Sequence, residues 1–363
     1  MKICYFTTGY FPVNKDSITA IEYFVFNLAE IMSARGHEIV LFGHPDSQGQ
    51  FQVQPIFHDV KYLEPEVGQD HQSYLYLNLV KDFADCVDFA NTHNVDVIHE
   101  QINNISYPLA RFANMPVVST MHILRNKPAL ADFYQASQYS YRVAPSKFVQ
   151  LCSPELRIDY IVWHGVQVDR QSFNPTGSED MGWLGRMVPN KGLHDAIEAS
   201  RVSNRSLIVG GYQPNYGQNH PYYQSILKSM AQNQNVTNIG EISREDNGKF
   251  LGQKKLVLMP IKGEEAFGLV AAEANAVGTP VIAYKSGSME EIIVDGVNGY
   301  LVEPDDINTM VDRINKIYDM SESEYSLLRR RCREFAEKNF SFNVMADKYN
   351  QIYQEIIKQP NLR

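Results

Sequence analysis

A chain of 363 residues exceeds the usual length of one domain, and 44% apolar residues suffice for two hydrophobic cores and exclude a disordered composition. The formal net charge of −9 argues against a dedicated nucleic-acid binder, which needs a basic face, and limits any membrane association to a peripheral one. Cys4, Cys86, Cys152 and Cys332 are far apart in sequence and show no CxxC spacing, which fits a reducing cytosol better than a disulfide framework or a zinc site.

Strand-like and helix-like segments alternate from end to end, the pattern of parallel-sheet α/β architecture. Met1 and Lys2 run straight into the strand-like Ile3-Cys4-Tyr5-Phe6, with no apolar leader before a cleavage site and no stretch long enough to span a bilayer. A cytoplasmic location is therefore expected. Ile21, Phe24, Val25, Leu28, Ile31 and Met32 recur at helical spacing, and Gly36 supplies a stop before a second strand over 38–42. Further strands are predicted at 95–99, 117–120, 142–144 and 160–163, with helices at 74–92 and 129–141. A break over 164–175 interrupts the periodicity, and the same kind of unit then restarts. Segments 181–184, 206–209, 236–239, 255–259 and 280–283 read as short apolar strands buried on both faces, with helices between them that include 193–202 and 268–277. Helices at 307–318, 324–339 and 342–358 close the chain. Arg329, Arg330, Arg331 and Arg333 read as a solvated helix face, membrane or partner contact being the lesser alternative.

Open, doubly wound sheets bind ligands beyond the C-terminal ends of their strands, so the site is expected in strand-to-helix loops lining a crevice between two domains. Several chemistries are excluded by what is missing. No two glycines are separated by one residue, which rules out the GxGxxG dinucleotide fingerprint; no GK[ST] triplet supports a P-loop; no GxSxG elbow supports a serine hydrolase. The DxD clamp that holds a metal in many sugar transferases is absent too.

Two motifs remain. Gly185-Arg186-Met187-Val188-Pro189-Asn190-Lys191-Gly192 lies between a strand and a helix, where Arg186 and Lys191 can converge on one anion, or stand as two solvated cations on a turn. Cations fixed near a departing diphosphate would stabilise its growing charge. The second motif runs from Glu265 through Ala266, Phe267, Gly268 and Leu269 to Glu273. Gly268 permits close backbone approach and opens a helix whose free N–H groups suit phosphate oxygens. Glu273, among alanines, needs partners, either ribose hydroxyls or a structural cation; Glu265 suits sugar hydroxyls, or simply the helix dipole.

These two motifs resemble the family four retaining glycosyltransferases (group 1 glycosyl transferases), which have the GT-B fold of two Rossmann-like domains facing across a cleft. The resemblance extends along nearly the whole chain through Arg35-Gly36-His37-Glu38, Asp96-Val97-Ile98-His99, Pro116 to His122, Gly165 to Asp169, Gly287 with Glu290-Glu291-Ile292, and Asp295 to Tyr300. It implies an N-terminal acceptor domain at 1–168, a C-terminal donor domain at 169–340, and a last helix at 341–363 that crosses back to the first domain. It also implies roles. Arg186 and Lys191 would bind the donor diphosphate, Glu265 with the Phe267-Gly268-Leu269 backbone would hold sugar and phosphate, and Glu273 would bind ribose. His122 would contact a hydroxyl of the transferred sugar, although a lone histidine at a strand end is more often structural. Thr19-Ala20 stands where the family has paired glycines, so the loop from Gly9 to Thr19 approaches acceptor or phosphate in its own way. His164 replaces an Asn, and Ser288 a Gly.

The expected reaction moves a hexose from a nucleotide diphosphate sugar, a UDP-sugar by family frequency, with UDP-glucose as the example, to an acceptor hydroxyl with retention and without a metal or other cofactor. The acceptor is expected to be a small soluble molecule or glycan, chosen near residues 8–20, 57–76 and 122–130. Two alternatives are a sugar-nucleotide epimerase or hydrolase on the same frame, and a non-catalytic sugar-nucleotide-binding protein.

Overall fold

A computed structural model describes residues 1–17, 19–58, 70–102, 107–122, 136–154, 156–212 and 220–358. The chain divides into two compact units, Met1–Gly165 with Phe342–Arg363, and Val166–Ser341. The division falls three residues before the 168/169 boundary expected from sequence. Val166 pairs with Ser341 in a parallel bridge and donates its N–H to Phe340 O, so the two crossing segments run side by side within the second unit.

The first unit is built from β1 (Lys2–Phe6), α1 (Ala20–Ala34), β2 (Glu38–Gly43), β3 (Gln52–Pro55), α2 (Asp70–Thr92), β4 (Val97–Glu100), α3 (Tyr107–Ala110), β5 (Val117–Thr120), β6 (Tyr141–Ala144), α4 (Lys147–Leu151) and β7 (Tyr160–Ile161). Its strands form one parallel sheet in the order β3-β2-β1-β4-β5-β6-β7. The apolar runs of β1 and β4 are buried on both faces, as central parallel strands require.

The second unit repeats the plan with β8 (Met181–Arg186), α5 (Leu193–Ser203), β9 (Leu207–Tyr212), α6 (Pro221–Gln232), β10 (Val236–Gly240), α7 (Arg244–Gly252), β11 (Leu256–Met259), α8 (Leu269–Ala276), β12 (Val281–Tyr284), α9 (Met289–Ile292), β13 (Gly299–Val302), α10 (Ile307–Tyr318) and α11 (Glu322–Asn339). Its sheet order is β10-β9-β8-β11-β12-β13. In both sheets the winding reverses beside the first strand, between β1 and β4 and between β8 and β11. Loops leaving those strand ends diverge there, at the position where open α/β sheets bind ligands.

The last helix, α12 (Phe342–Lys358), returns to the first unit. Its Phe342, Met345, Tyr349, Ile352, Tyr353 and Ile356 share one core with Phe24, Val25, Leu28 and Met32 of α1. Polar atoms fix the register. His99 Nδ1 lies 2.5 Å from Tyr353 Oη and its Nε2 lies 2.7 Å from Thr120 Oγ1, which meets Tyr349 Oη at 2.9 Å. All four residues are fully buried, so helix and sheet satisfy one another's polar groups.

Three expectations, on the strand at 236–239, the helix at 129–141 and the arginine cluster, are corrected here. The strand at 236–239 is not buried on both faces; β10 is an edge strand, and Ile239 is 50% exposed. Of the helix expected at 129–141, residues 129–135 lie outside the described set; the described end differs, since Ala136–Tyr139 form a 3₁₀ turn and Tyr141 already begins β6. Cys4 and Cys86, distant in sequence, meet in the core with their sulfurs 3.6 Å apart as free thiols. The arginine cluster is only partly a solvated face. Arg330 is exposed, whereas Arg329 is fully buried and donates to the carbonyls of Lys254 (2.8 Å), Gly252 (3.0 Å) and Asn174 (2.5 Å), and to Thr279 Oγ1 and Tyr325 Oη. Arg333 bonds the carbonyls of Gln171 and Ala276. These cations cap the C-terminal ends of α7 and α8, whose last carbonyls have no intrahelical donor.

Removing Arg329 strands several buried acceptors at once. Arg329→Ala is expected to cost at least about 3 kcal/mol in urea unfolding, against about 0.5 kcal/mol or less for Arg330→Ala. Equal losses for the two variants would contradict the capping role.

Candidate functional site

The loops leaving β8 and β11 carry the motifs singled out by sequence, on either side of the second sheet's switch point. Arg186 ends β8 and is exposed, with no ion-pair or side-chain hydrogen-bond partner among the described residues. Lys191 closes a 3₁₀ turn, Pro189–Lys191, that leads into α5. Gly192 follows with φ +68°, and a β-carbon there would fall 1.8 Å from Pro260 O, so only glycine lets the two loops touch. Lys262 N–H reinforces the contact by donating to Asn190 O at 2.8 Å.

Glu265 lies on the second of these loops. One carboxylate oxygen accepts from the Lys191 ammonium, and the other accepts from Gly268 N–H at 3.1 Å. The two side chains are 24% and 16% exposed, so the pair stands at a rim where an incoming polar group can reach it. Gly268 has φ +89°, a conformation that favours glycine, and Met289 Sδ and Cε pack beneath it. From here α8 begins with Leu269, and its first-turn N–H groups face away from the helix body. Phe267 is buried and meets the Phe340 ring edge-on at 6.0 Å, so its contribution to the site is backbone alone. Ser288 N–H donates to Glu265 O at 3.0 Å, which holds the Glu265 backbone from the β12 side.

Glu273 sits one turn into α8 and is half-buried. Asn247 Nδ2 lies 3.5 Å from its carboxylate, and Arg244 contributes positive charge. Burial outweighs both and pushes the carboxyl up to about 7. Asn247 Oδ1 is buried without a hydrogen-bond partner among the described residues. Neither Arg244 nor Asn247 was singled out by sequence. The signal was faint: Ser243 caps α7 and is followed by Arg244, while Asn247 lies one turn further on the same helix.

In the first unit the corresponding strand ends carry His122, Gly9 and Thr19. His122 follows β5, and its Nε2 lies 2.7 Å from Gln101 Oε1. It stacks on His164 with ring centroids 5.1 Å apart, and Phe24 meets both rings edge-on. Burial and the neighbouring His164 and His99 hold the His122 imidazole well below its ordinary range, and burial lowers His164 to about 4. Gly9 packs against Ile56 and accepts from His58 N–H at 3.2 Å, which ties the loop after β1 to the end of β3. Thr19 precedes α1 but does not cap it; its hydroxyl bonds the Glu22 carboxylate, which Thr8 Oγ1 approaches from the other side at 3.5 Å. Glu22 is 3% exposed, and burial raises its carboxyl. The structure thus groups Arg186, Lys191, Glu265, Phe267, Gly268, Leu269 and Glu273 on one unit and His122, Gly9 and Thr19 on the other. Of the acceptor regions, residues 18, 59–69 and 123–130 lie outside the described set. Among the described residues no helix is long and apolar enough to cross a membrane.

Residues 167–339 match the family model for glycosyl transferases group 1. A lipopolysaccharide 1,2-N-acetylglucosaminetransferase of Salmonella typhimurium is 27% identical over 178 residues, 47% of this chain and 46% of that protein. An uncharacterised glycosyltransferase of Methanocaldococcus jannaschii is 25% identical over 322 residues, 83% of this chain and 85% of that one. The chain spans about half the length of several of the curated relatives it matches. Among solved structures, Anabaena HepE in complex with UDP and glucose superposes with a TM-score of 0.72 at 16% identity, covering 98% of this chain and 100% of that one. The fold is therefore the GT-B pair of parallel-sheet domains expected from sequence.

The raised Glu273 carboxyl has a consequence for stability. The unfolded chain releases this proton near 4.5 and the folded one near 7, so the folded state holds more protons between those values. Stability from this group is complete below about pH 4.5 and is lost as pH rises through 7. Denaturant midpoints of Glu273→Gln should gain on wild type between pH 5 and pH 8. A difference that does not change with pH would show that Glu273 is already ionised in the folded protein.

Proposed function

We propose that the protein is a glycosyltransferase whose donor is a nucleotide diphosphate sugar, a reading supported by the match of residues 167–339, nearly all of the second unit, to the glycosyl transferases group 1 model. The observation that carries this reading is the arrangement of Lys191, Glu265 and Gly268 around the start of α8, with Arg186 exposed at the end of β8, at the head of the loop that carries Lys191. Two cations follow β8 and a helix N-terminus follows β11, the two strands that flank the second sheet's switch point, and a diphosphate suits such a set of groups. When the diphosphate engages Lys191, the Glu265 carboxylate is released to accept sugar hydroxyls while still anchored by Gly268 N–H. Glu273, short of partners when empty, accepts from ribose hydroxyls, with Asn247 beside it.

We further propose transfer of a hexose with retention and without a metal ion. The bond from the anomeric carbon to the diphosphate oxygen breaks, and the bond to the acceptor oxygen forms on the same face. The acceptor proton passes to the departing phosphate oxygen, and nucleoside diphosphate leaves. Arg186 and Lys191 stabilise the charge that builds on that oxygen. UDP-glucose is the favoured donor, supported by the UDP and glucose held by the Anabaena structure of the same fold. His122 contacts the transferred sugar, and the loop from Gly9 to Thr19 faces acceptor or phosphate. The acceptor is a small soluble molecule or glycan.

Thermal-shift screening against nucleotide sugars identifies the donor, because a ligand at 100 times its Kd stabilises the fold by about 2.7 kcal/mol. With that donor and an acceptor panel, Arg186→Ala and Lys191→Ala should each lower turnover roughly 10²–10³-fold, and EDTA should leave the wild type active. Near-normal transfer by either variant with donor still bound would remove the diphosphate assignment.

A further inference from the structure

Gln101 follows β4, and its backbone N–H donates to Phe6 O at 3.0 Å, which fixes it at the switch point of the first sheet. The side chain is fully buried. Its Oε1 lies 2.7 Å from His122 Nε2, while its own Nε2 is buried and has no hydrogen-bond partner among the described residues. A buried primary amide with both N–H donors unused is rare in folded proteins and marks a place where another oxygen belongs. The imidazole it touches cannot swing away. His164 stacks on it, with ring planes 25° apart, and Phe24 blocks its edge at 81°.

A neutral imidazole carries one proton, and the bond it makes decides which nitrogen holds it. An amide oxygen can only accept, so this contact places the His122 proton on Nε2. We propose that Gln101 is a positioning residue: it fixes His122 as the Nε2–H tautomer and presents its own free amide N–H₂ to a hydroxyl oxygen of the bound sugar. The identity of the ligand as a sugar rests on the glycosyl-transfer reading; the assignment of the tautomer does not.

Protein labelled with ¹⁵N-histidine, with the His122 signals identified by their loss in His122→Asn, reads the tautomer directly. The wild type should show a protonated Nε2 and an unprotonated Nδ1. Gln101→Leu, close in volume but unable to accept, should give averaged tautomer shifts; it should also lower kcat for sugar transfer roughly tenfold while the donor KM stays within about twofold. Gln101→Glu, which can still accept, should keep the Nε2–H signature. Three results would each overturn the proposal: a wild-type proton on Nδ1, an unchanged tautomer in Gln101→Leu, or loss of the Nε2–H signature in Gln101→Glu. Should Gln101→Leu fail to fold, the wild-type and Gln101→Glu spectra decide the question alone. Failure of every nucleotide sugar to shift the melting temperature would instead count against the glycosyl-transfer reading, and the tautomer would still be decided by the spectra.

Discussion

The second unit's proposed chemistry depends on one carboxylate held at both of its oxygens. A carboxylate half withdrawn from water is costly unless hydrogen bonds and an opposite charge replace its hydration. Glu265 has both, in the Lys191 ammonium and the Gly268 N–H. Because Lys191 leaves β8 and Glu265 leaves β11, this bond also ties together the two loops that diverge at the switch point. The approach of Gly192 to Pro260 and the bond from Lys262 to Asn190 hold the same loops at the backbone level. Charges and dipoles at such a site are oriented before any ligand arrives, which is where most electrostatic catalysis comes from. Without a ligand the ion pair satisfies its own members; an anion that competes for Lys191 frees Glu265 for a second task.

Glu273 presents the opposite case. Its carboxyl is half-buried, has one long contact to Asn247, and sits near neutrality in its titration. Asn247 itself retains a buried, unpaired carbonyl oxygen. Unsatisfied polar atoms on neighbouring turns of α7 and α8 describe a surface shaped for a hydroxyl-rich molecule. Glu265 is preorganised by its own protein, and Glu273 is left to be completed by something else.

Much of this was legible in the sequence because parallel sheets bury their strands on both faces. Continuous apolar runs such as 256–259 and 281–284 announce such strands, and the motifs then fall into the loops that follow them. Edge strands leave weaker traces. β3, with its alternating polar residues, carried no apolar run to detect, and β10 was read as buried because Val236 and Ile239 mimic a core strand. The arginines misled for a different reason: a charged run on a helix looks solvated until the carbonyls of other helix ends are found around it. Arg329 has its acceptors at residues 174, 252 and 254, separations no local pattern encodes. The pairing of Lys191 with Glu265, across 74 positions, was hidden in the same way, although each residue was recognised alone.

The first unit adds a constraint on where the proton goes. An effective general base titrates near the working pH. His122 lies well below its ordinary range, and His164 and His99 are lowered to about 4 and about 3, each chiefly by burial. These imidazoles are therefore neutral hydrogen-bonding groups and weak bases. Glu22 is held by Thr19 and Thr8 at the start of α1, and burial favours its protonated form. The imidazoles are too weakly basic to remove a proton from an acceptor hydroxyl ahead of bond formation, and the Glu22 carboxylate is already engaged by the hydroxyls of Thr19 and Thr8. The oxygen on which charge grows most during transfer is the phosphate oxygen losing its sugar, and it lies close to the acceptor when attack comes from the same face. Cations in the second unit and neutral hydrogen-bonding groups in the first suit the proposed reaction, in which the leaving group is its own base.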